Sequence, residues 1–177
     1  MEMDEVRLLH IEHVAKQIKR KYETTNPYEL ADFLGVIVSF APYKKLLGFC
    51  TVLVGRKVIG LNSNAKSNTR RCACAHELGH IILGHLDDPG YKLAHYSDLT
   101  NFTGCFESEA NCFAASLLVE NSEAVEAIRQ YGELARAAAA LYVCPALIRS
   151  KMIMLNEFHG HHFIIPSTAS LDPGASA

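Results

Sequence analysis

The chain lacks any apolar stretch long enough to cross a bilayer. Its longest purely apolar run, Ala137 to Cys144, is about eight residues, against the roughly 18 that a spanning helix needs. It also lacks a charge bias. Seventeen Lys and Arg stand against 19 Asp and Glu, a formal charge of -2, which excludes a uniformly basic nucleic-acid coat and leaves open only a local basic patch. C-x-x-C pairs are absent among the six cysteines, Cys50, Cys72, Cys74, Cys105, Cys112 and Cys144, and the first residues, Met1 to Glu5, are acidic where an exported chain would carry an apolar signal core. These absences predict a cytoplasmic protein with no membrane partner, whose free thiols pack as small apolar side chains. What is present is the composition of a folded protein, with 49% hydrophobic and 20% charged residues in 177, a length that suits one compact domain with a small appendage.

Helical spacing of Val6, Leu9, His10, His13, Val14, Gln17 and Ile18 predicts an amphipathic helix from Val6 to Tyr22. Asn26-Pro27 opens a second, Tyr28 to Leu34, which Gly35 stops. Three short β-branched runs, Val36 to Phe40, Gly48 to Val54 and Val58 to Asn62, with a turn at Gly55-Arg56-Lys57, read as a small antiparallel sheet. Ser67 or Asn68 begins a helix running to about His85, before the breakers Asp87-Asp88-Pro89-Gly90. A long loop, Tyr91 to Gly104, precedes a helix whose stripe is Ala110, Phe113, Ala114, Leu117 and Leu118. A helix at Glu123 to Gln130 follows, capped by Asn121-Ser122. Leu134 to Leu141 and Ala146 to Leu155 then resemble a helix-turn-helix, and Phe163 to Ile165 reads as a last strand. The division is 1–130 as the main domain, 131–166 as a helical hairpin packed on it, and 167–177 as a disordered tail.

Ala75-His76-Glu77-Leu78-Gly79-His80 contains H-E-x-x-H inside a helix. At 100° per residue, His76 and His80 lie about 40° apart, so both imidazoles can converge on one ion. Glu77 is about 60° from His80, placed to touch a water at such an ion without being a ligand. Chance would put this motif in roughly 3% of chains of this composition. Its setting, with small residues Cys72 to Ala75 before and Ile81-Ile82-Leu83 after, suits a buried active-site helix, and the spacing suits zinc with three protein ligands and an open position.

The extended form H-E-x-x-H-x-x-G-x-x-H is excluded, because its last two defined positions hold Leu83 and Leu86. Extrapolated along the helix, His85 lies about 140° from His80 and faces away from the site. A carboxylate from a second helix remains, and the next helix opens with Glu107-Ser108-Glu109. Glu107 is about 50° from the centre of the apolar stripe and Glu109 about 110°, so Glu107 faces in and Glu109 reads as an acid at the positive helix end. Asn111 shares the face of Glu107 and could hydrogen-bond a ligand imidazole.

Arg70-Arg71 and Ala75 leading into H-E-L-G-H, followed by the run from Glu107 to Leu118, resemble the ImmA/IrrE family of zinc metallopeptidases and its E-x-E-A-N-x-F-A-A-x-L-L pattern. Asn26 to Ala31 and the hairpin ending in Leu61-Asn62 are similar too, so the resemblance covers roughly residues 20 to 155. A departure is Val119-Glu120, where the family usually has Met-Pro. The resemblance implies a mostly helical, zincin-like α+β fold, a Zn2+ cofactor held by His76, His80 and Glu107, Glu77 as catalytic base, and a helix-turn-helix repressor of a mobile element, prophage or stress regulon as substrate.

An oxyanion donor would come from Tyr91, His95 and Tyr96 in the long loop, or from His159, His161 and His162, which also read as an exposed tail cluster. In the helical pair, Arg136, Arg149 and Lys151, with Arg129 just before, make a weak footprint for DNA, so packing or substrate docking is the better reading. A second class of function is a regulatory module with a structural zinc that sequesters a repressor or contacts DNA. Glu77 argues against it, since a structural site needs no base.

Overall fold

The computed structural model describes residues 5–44, 46–89 and 104–164. In chain order it has α1 (Glu5–Tyr22), α2 (Pro27–Phe33), β1 (Ile37–Ala41), β2 (Gly48–Leu53), β3 (Arg56–Asn62), α3 (Ser67–Ile82), a 3-10 turn (His85–Asp87), α4 (Gly104–Leu118), α5 (Asn121–Tyr131), α6 (Leu134–Ala140) and α7 (Pro145–Phe158). Helices around one small sheet make the mostly helical α+β class. Residues 90–103, on which nearly all of the expected Tyr91 to Gly104 loop falls, and 165–177 lie outside the described residues.

Local chemistry sets several boundaries. The Asn26 side chain accepts the Tyr28 N–H at 3.0 Å, and Pro27 occupies the first helical position of α2. The turn between β2 and β3 is Val54-Gly55, both at positive φ (49° and 72°), a two-residue reversal one step earlier than Gly55-Arg56-Lys57. At the start of α5 the Glu120 N–H donates to the Glu123 carboxylate at 3.2 Å, so capping falls to Glu120 and not to Asn121-Ser122.

The sheet is mixed, in the order β1-β3-β2. β2 and β3 form the antiparallel hairpin, with Cys50 opposite Ile59, while β1 runs parallel to β3, with Phe40 beside Leu61. This corrects the expectation of an antiparallel sheet. A tight turn dictates direction only for the two strands it joins, and β1 adds to the far edge of β3. Burial explains the order: β3 buries Ile59, Gly60, Leu61 and Asn62 and takes the centre, whereas β1 leaves Ile37, Ser39 and Phe40 exposed.

α3 lies across the middle, against β2 and β3 on one side and α4 on the other. It ends at Ile82, because Gly84 adopts a left-handed conformation (φ 78°) and reverses the chain. The helix therefore stops short of His85. α4 is enclosed by α1, α3 and α7 and buries Glu109, Ala110 and every residue from Cys112 to Leu118.

α6 and α7 differ in direction by 103°, a helix-turn-helix angle, and among the described residues no single helix is long and apolar enough to cross a membrane. α7 buries Leu147, Ile148, Ser150, Lys151, Met152, Met154 and Leu155, so most of its surface serves packing. The turn before it is tied to α3 by the Cys144 N–H, 3.2 Å from Cys72 Sγ. Phe163 and Ile164 form no strand. Their place is held by the Asn156 amide, which donates to the Phe163 carbonyl at 2.9 Å and accepts its N–H at 2.8 Å.

Candidate metal centre

Helical period alone puts His76 and His80 one turn apart on the face of α3 toward α4. Gly79 allows the two helices to touch: a Cβ there would stand 3.0 Å from the Ala110 Cα and 3.1 Å from its carbonyl oxygen. That backbone-to-backbone crossing brings Glu107, a turn before Ala110, to the imidazoles. Its Oε2 is 3.1 Å from His76 Nε2 and its Oε1 is 3.3 Å from His80 Nε2, and the two Nε2 atoms are 3.1 Å apart. One donor atom from each residue lies within 4.8 Å of the others, close enough to bind one metal ion.

Charge is distributed unevenly over this group. Burial would push the Glu107 carboxyl up, but hydrogen bonds and charge from His76 and His80 outweigh it and hold the carboxyl far below its ordinary range. Burial also opposes protonation of His76, yet its hydrogen bond to Glu107 and the charges of Glu77 and Glu107 raise its pKa. Burial wins at His80, whose pKa is lowered. The Asn111 amide oxygen is 2.9 Å from His76 Nδ1, which leaves Nε2 facing the cluster.

Glu77 is buried under the sheet. Gly48, at the start of β2, lies against it: a Cβ on Gly48 would stand 3.4 Å from Glu77 Cγ, and closer still, at 3.1 Å, to Leu61 Cδ2. Burial pushes the Glu77 carboxyl above its ordinary value, partly offset by His76 and by a hydrogen bond with Cys50.

Sequence reasoning missed the far side of His80. His85 is 2% exposed, with Nδ1 2.9 Å from His80 Nδ1 and Nε2 3.0 Å from Glu109 Oε2. Glu109 is buried as well, and Arg7 of α1 donates to the same oxygen at 2.6 Å. Wheel extrapolation failed for His85 because Gly84 turns the chain back inward. It failed for Glu109 because α4 is covered by α1 as well as α3, so a position well off the stripe is still buried. Nothing in the sequence pointed to Arg7; the E-x-E spacing was the only visible signal for Glu109.

The remaining candidates divide. Tyr91, His95 and Tyr96 lie outside the described residues. His159 is placed away from the cluster, 3.0 Å from the Asn121 amide and 3.3 Å from Glu12, and His161 stacks on Phe163.

A family model for the IrrE N-terminal-like domain, Peptidase M78, matches residues 37–152. A Bacillus phage phi105 protein described as uncharacterized immunity region protein 2 is 32% identical over 111 residues, covering 62% of this chain and 68% of its own. The family match includes the H-E-x-x-H helix, and neither description names a substrate.

Proposed function

The chain belongs to the peptidase family defined by the IrrE N-terminal-like domain, and from that premise we propose that it is a zinc-dependent endopeptidase that cleaves a helix-turn-helix repressor of a mobile element, prophage or stress regulon. The carrying observation is the mutual spacing of His76 Nε2, His80 Nε2 and the Glu107 carboxylate, 3.1, 3.1 and 3.3 Å. Ligands at roughly 2.0 to 2.1 Å around a tetrahedral ion stand about 3.3 to 3.4 Å apart, so this donor set suits zinc with its fourth position open.

His76, His80 and Glu107 would hold the ion, with Asn111 keeping the His76 ring turned toward it. Bound zinc would supply Lewis acidity, polarising a peptide carbonyl and making water a nucleophile near neutral pH. Glu77 would accept a proton on its carboxylate and return it to the leaving amine nitrogen. Among the described residues Glu107 is half-exposed and Glu77 is enclosed, which favours a substrate presented as a local segment on the Glu107 side. The phage immunity-region relative supports a repressor as that substrate.

Incubating the protein with the repressor encoded beside it, with and without chelator, tests this reading. The expected result is a single chelator-sensitive cut, and a Glu77→Gln variant that keeps zinc and its fold but loses about 100-fold or more in turnover. Near-normal cleavage by Glu77→Gln would sink the mechanism, and rapid, indiscriminate degradation of casein would reject the substrate.

A further inference from the structure

We propose that Cys144 and Cys72 form a redox-responsive site that a hydroperoxide, hydrogen peroxide in the simplest case, closes into a disulfide, with Cys144 as the attacking thiol and Cys72 as the resolving one. The inference goes beyond the metal-site reading and does not depend on it, since neither cysteine is a proposed ligand.

The turn between α6 and α7 builds the contact. Tyr142 takes a left-handed conformation there (φ 54°), which favours glycine, so the shape of the turn is imposed by what it packs on. Its carbonyl oxygen accepts from Arg71 Nη1 of α3 at 3.4 Å, and Val143 is buried beneath the turn. Cys144 is thereby held over the first half of α3, where its N–H donates to Cys72 Sγ at 3.2 Å and the two side chains hydrogen-bond to each other. Sulfurs already in hydrogen-bonding contact need only a short approach to reach the roughly 2.05 Å of an S–S bond.

Exposure and charge separate the two roles. Of the six cysteines only Cys105 and Cys144 are partly exposed, whereas Cys72 is 4% exposed. Cys144 is the N-cap of α7, where the positive end of the helix favours a thiolate, and the hydrogen bond from Cys72 holds its thiol below the ordinary value. Cys105 has the opposite setting, because burial and the neighbouring Glu109 carboxylate push it up. Cys144 is therefore the thiol that a peroxide meets in its reactive form.

The Cys144 thiolate attacks one peroxide oxygen, the O–O bond breaks, and the departing hydroxide takes a proton and leaves as water, with Cys144 now a sulfenic acid. Cys72 Sγ then gives up its proton and attacks Cys144 Sγ; the S–O bond breaks, the oxygen leaves as a second water, and the S–S bond forms. Two thiols are oxidised by two electrons while one hydrogen peroxide is reduced to two waters. A hydrogen-bonded contact between the α6–α7 turn and α3, the helix of the H-E-x-x-H motif, becomes a covalent one across 72 positions of sequence.

The test uses the full chain as purified. After a stoichiometric dose of hydrogen peroxide near neutral pH, thiols titrated in denaturant should show the loss of two of the six, and peptide mapping should find a single Cys72–Cys144 cross-link that dithiothreitol removes. Cys72→Ser should leave a sulfenic acid at Cys144 that dimedone traps, and Cys144→Ser should leave Cys72 reduced. An undiminished thiol count, a cross-link between other cysteines or between two chains, or dimedone labelling of Cys105 ahead of Cys144 would overturn the inference. Should either variant fail to fold, the peptide map of the parent decides. Zinc content and repressor cleavage are separate measurements, so failure of the metal-site reading leaves this result standing.

Discussion

Histidine meets glutamate on both sides of His80, and the two meetings are built differently. Toward the surface, His76 and Glu107 share a space in which the Glu107 side chain is 45% exposed. Toward the interior, His85 and Glu109 are sealed, and Arg7 supplies the charge that Glu109 needs. The same residue types therefore end in opposite states. The inner group is a closed circuit in which the acidic oxygen is already taken by two donors. The outer group turns two ring nitrogens and a carboxylate toward one point, close enough together to bind one cation. Enclosure and a built-in countercharge, more than residue identity, separate a structural pair from a metal centre.

The largest expected effect comes from exchanging the two acids. Glu107→Ala should weaken zinc binding by well over about 100-fold, whereas Glu109→Ala should stay within the roughly 10- to 100-fold that loss of a supporting partner costs. Zinc titration of both variants checks this, and the reverse order would move the third ligand to Glu109.

Next is the crossing that assembles the outer group. Gly79→Ala must push α3 and α4 apart against backbone atoms at 3.0 and 3.1 Å, so a loss of about 1 to 3 kcal/mol in urea unfolding is expected, together with weaker zinc binding. A variant as stable as the parent would show that the contact yields.

A smaller effect should separate the two sides without metal. Arg7→Ala leaves the buried Glu109 carboxylate with the His85 ring as its neighbour and no guanidinium, and should cost about 1 to 2 kcal/mol, allowing for the partial exposure of Arg7. Glu107→Ala in metal-free protein should cost less. Equal losses would erase the distinction drawn between the pairs.

The smallest effect is in acid. Burial would raise the Glu109 carboxyl, but the hydrogen bonds from His85 and Arg7 prevail and bring it down to about 2 from an ordinary 4.5. A depressed carboxyl contributes stability that is fully present above its unfolded value and is lost as pH falls through the folded one. Stability should therefore decline between about pH 4.5 and 2, and Glu109→Gln should flatten that decline.

Much of this arrangement was legible in the residues. The helical course of α3, the inward face of Glu107 and the sharing of that face by Asn111 follow from a 3.6-residue period, which needs no knowledge of the rest of the chain. Strand existence was legible in the β-branched runs, but strand direction was not, because only β2 and β3 are joined by a turn that dictates it. The Phe163 strand failed for a related reason: a β-branched run says that an extended segment is affordable, and here a single side chain, Asn156, supplies the pairing.

By itself, then, the sequence determined the H-E-x-x-H helix, the acid that opens the facing helix and the broad class of the fold, all properties of local spacing. Only the tertiary structure decided that His85 turns inward after Gly84, that Glu109 is buried between α1 and α3, and that Arg7, 102 positions away, is its partner. Those outcomes depend on which surfaces meet, and a helical wheel contains the directions of side chains without the neighbours that cover them.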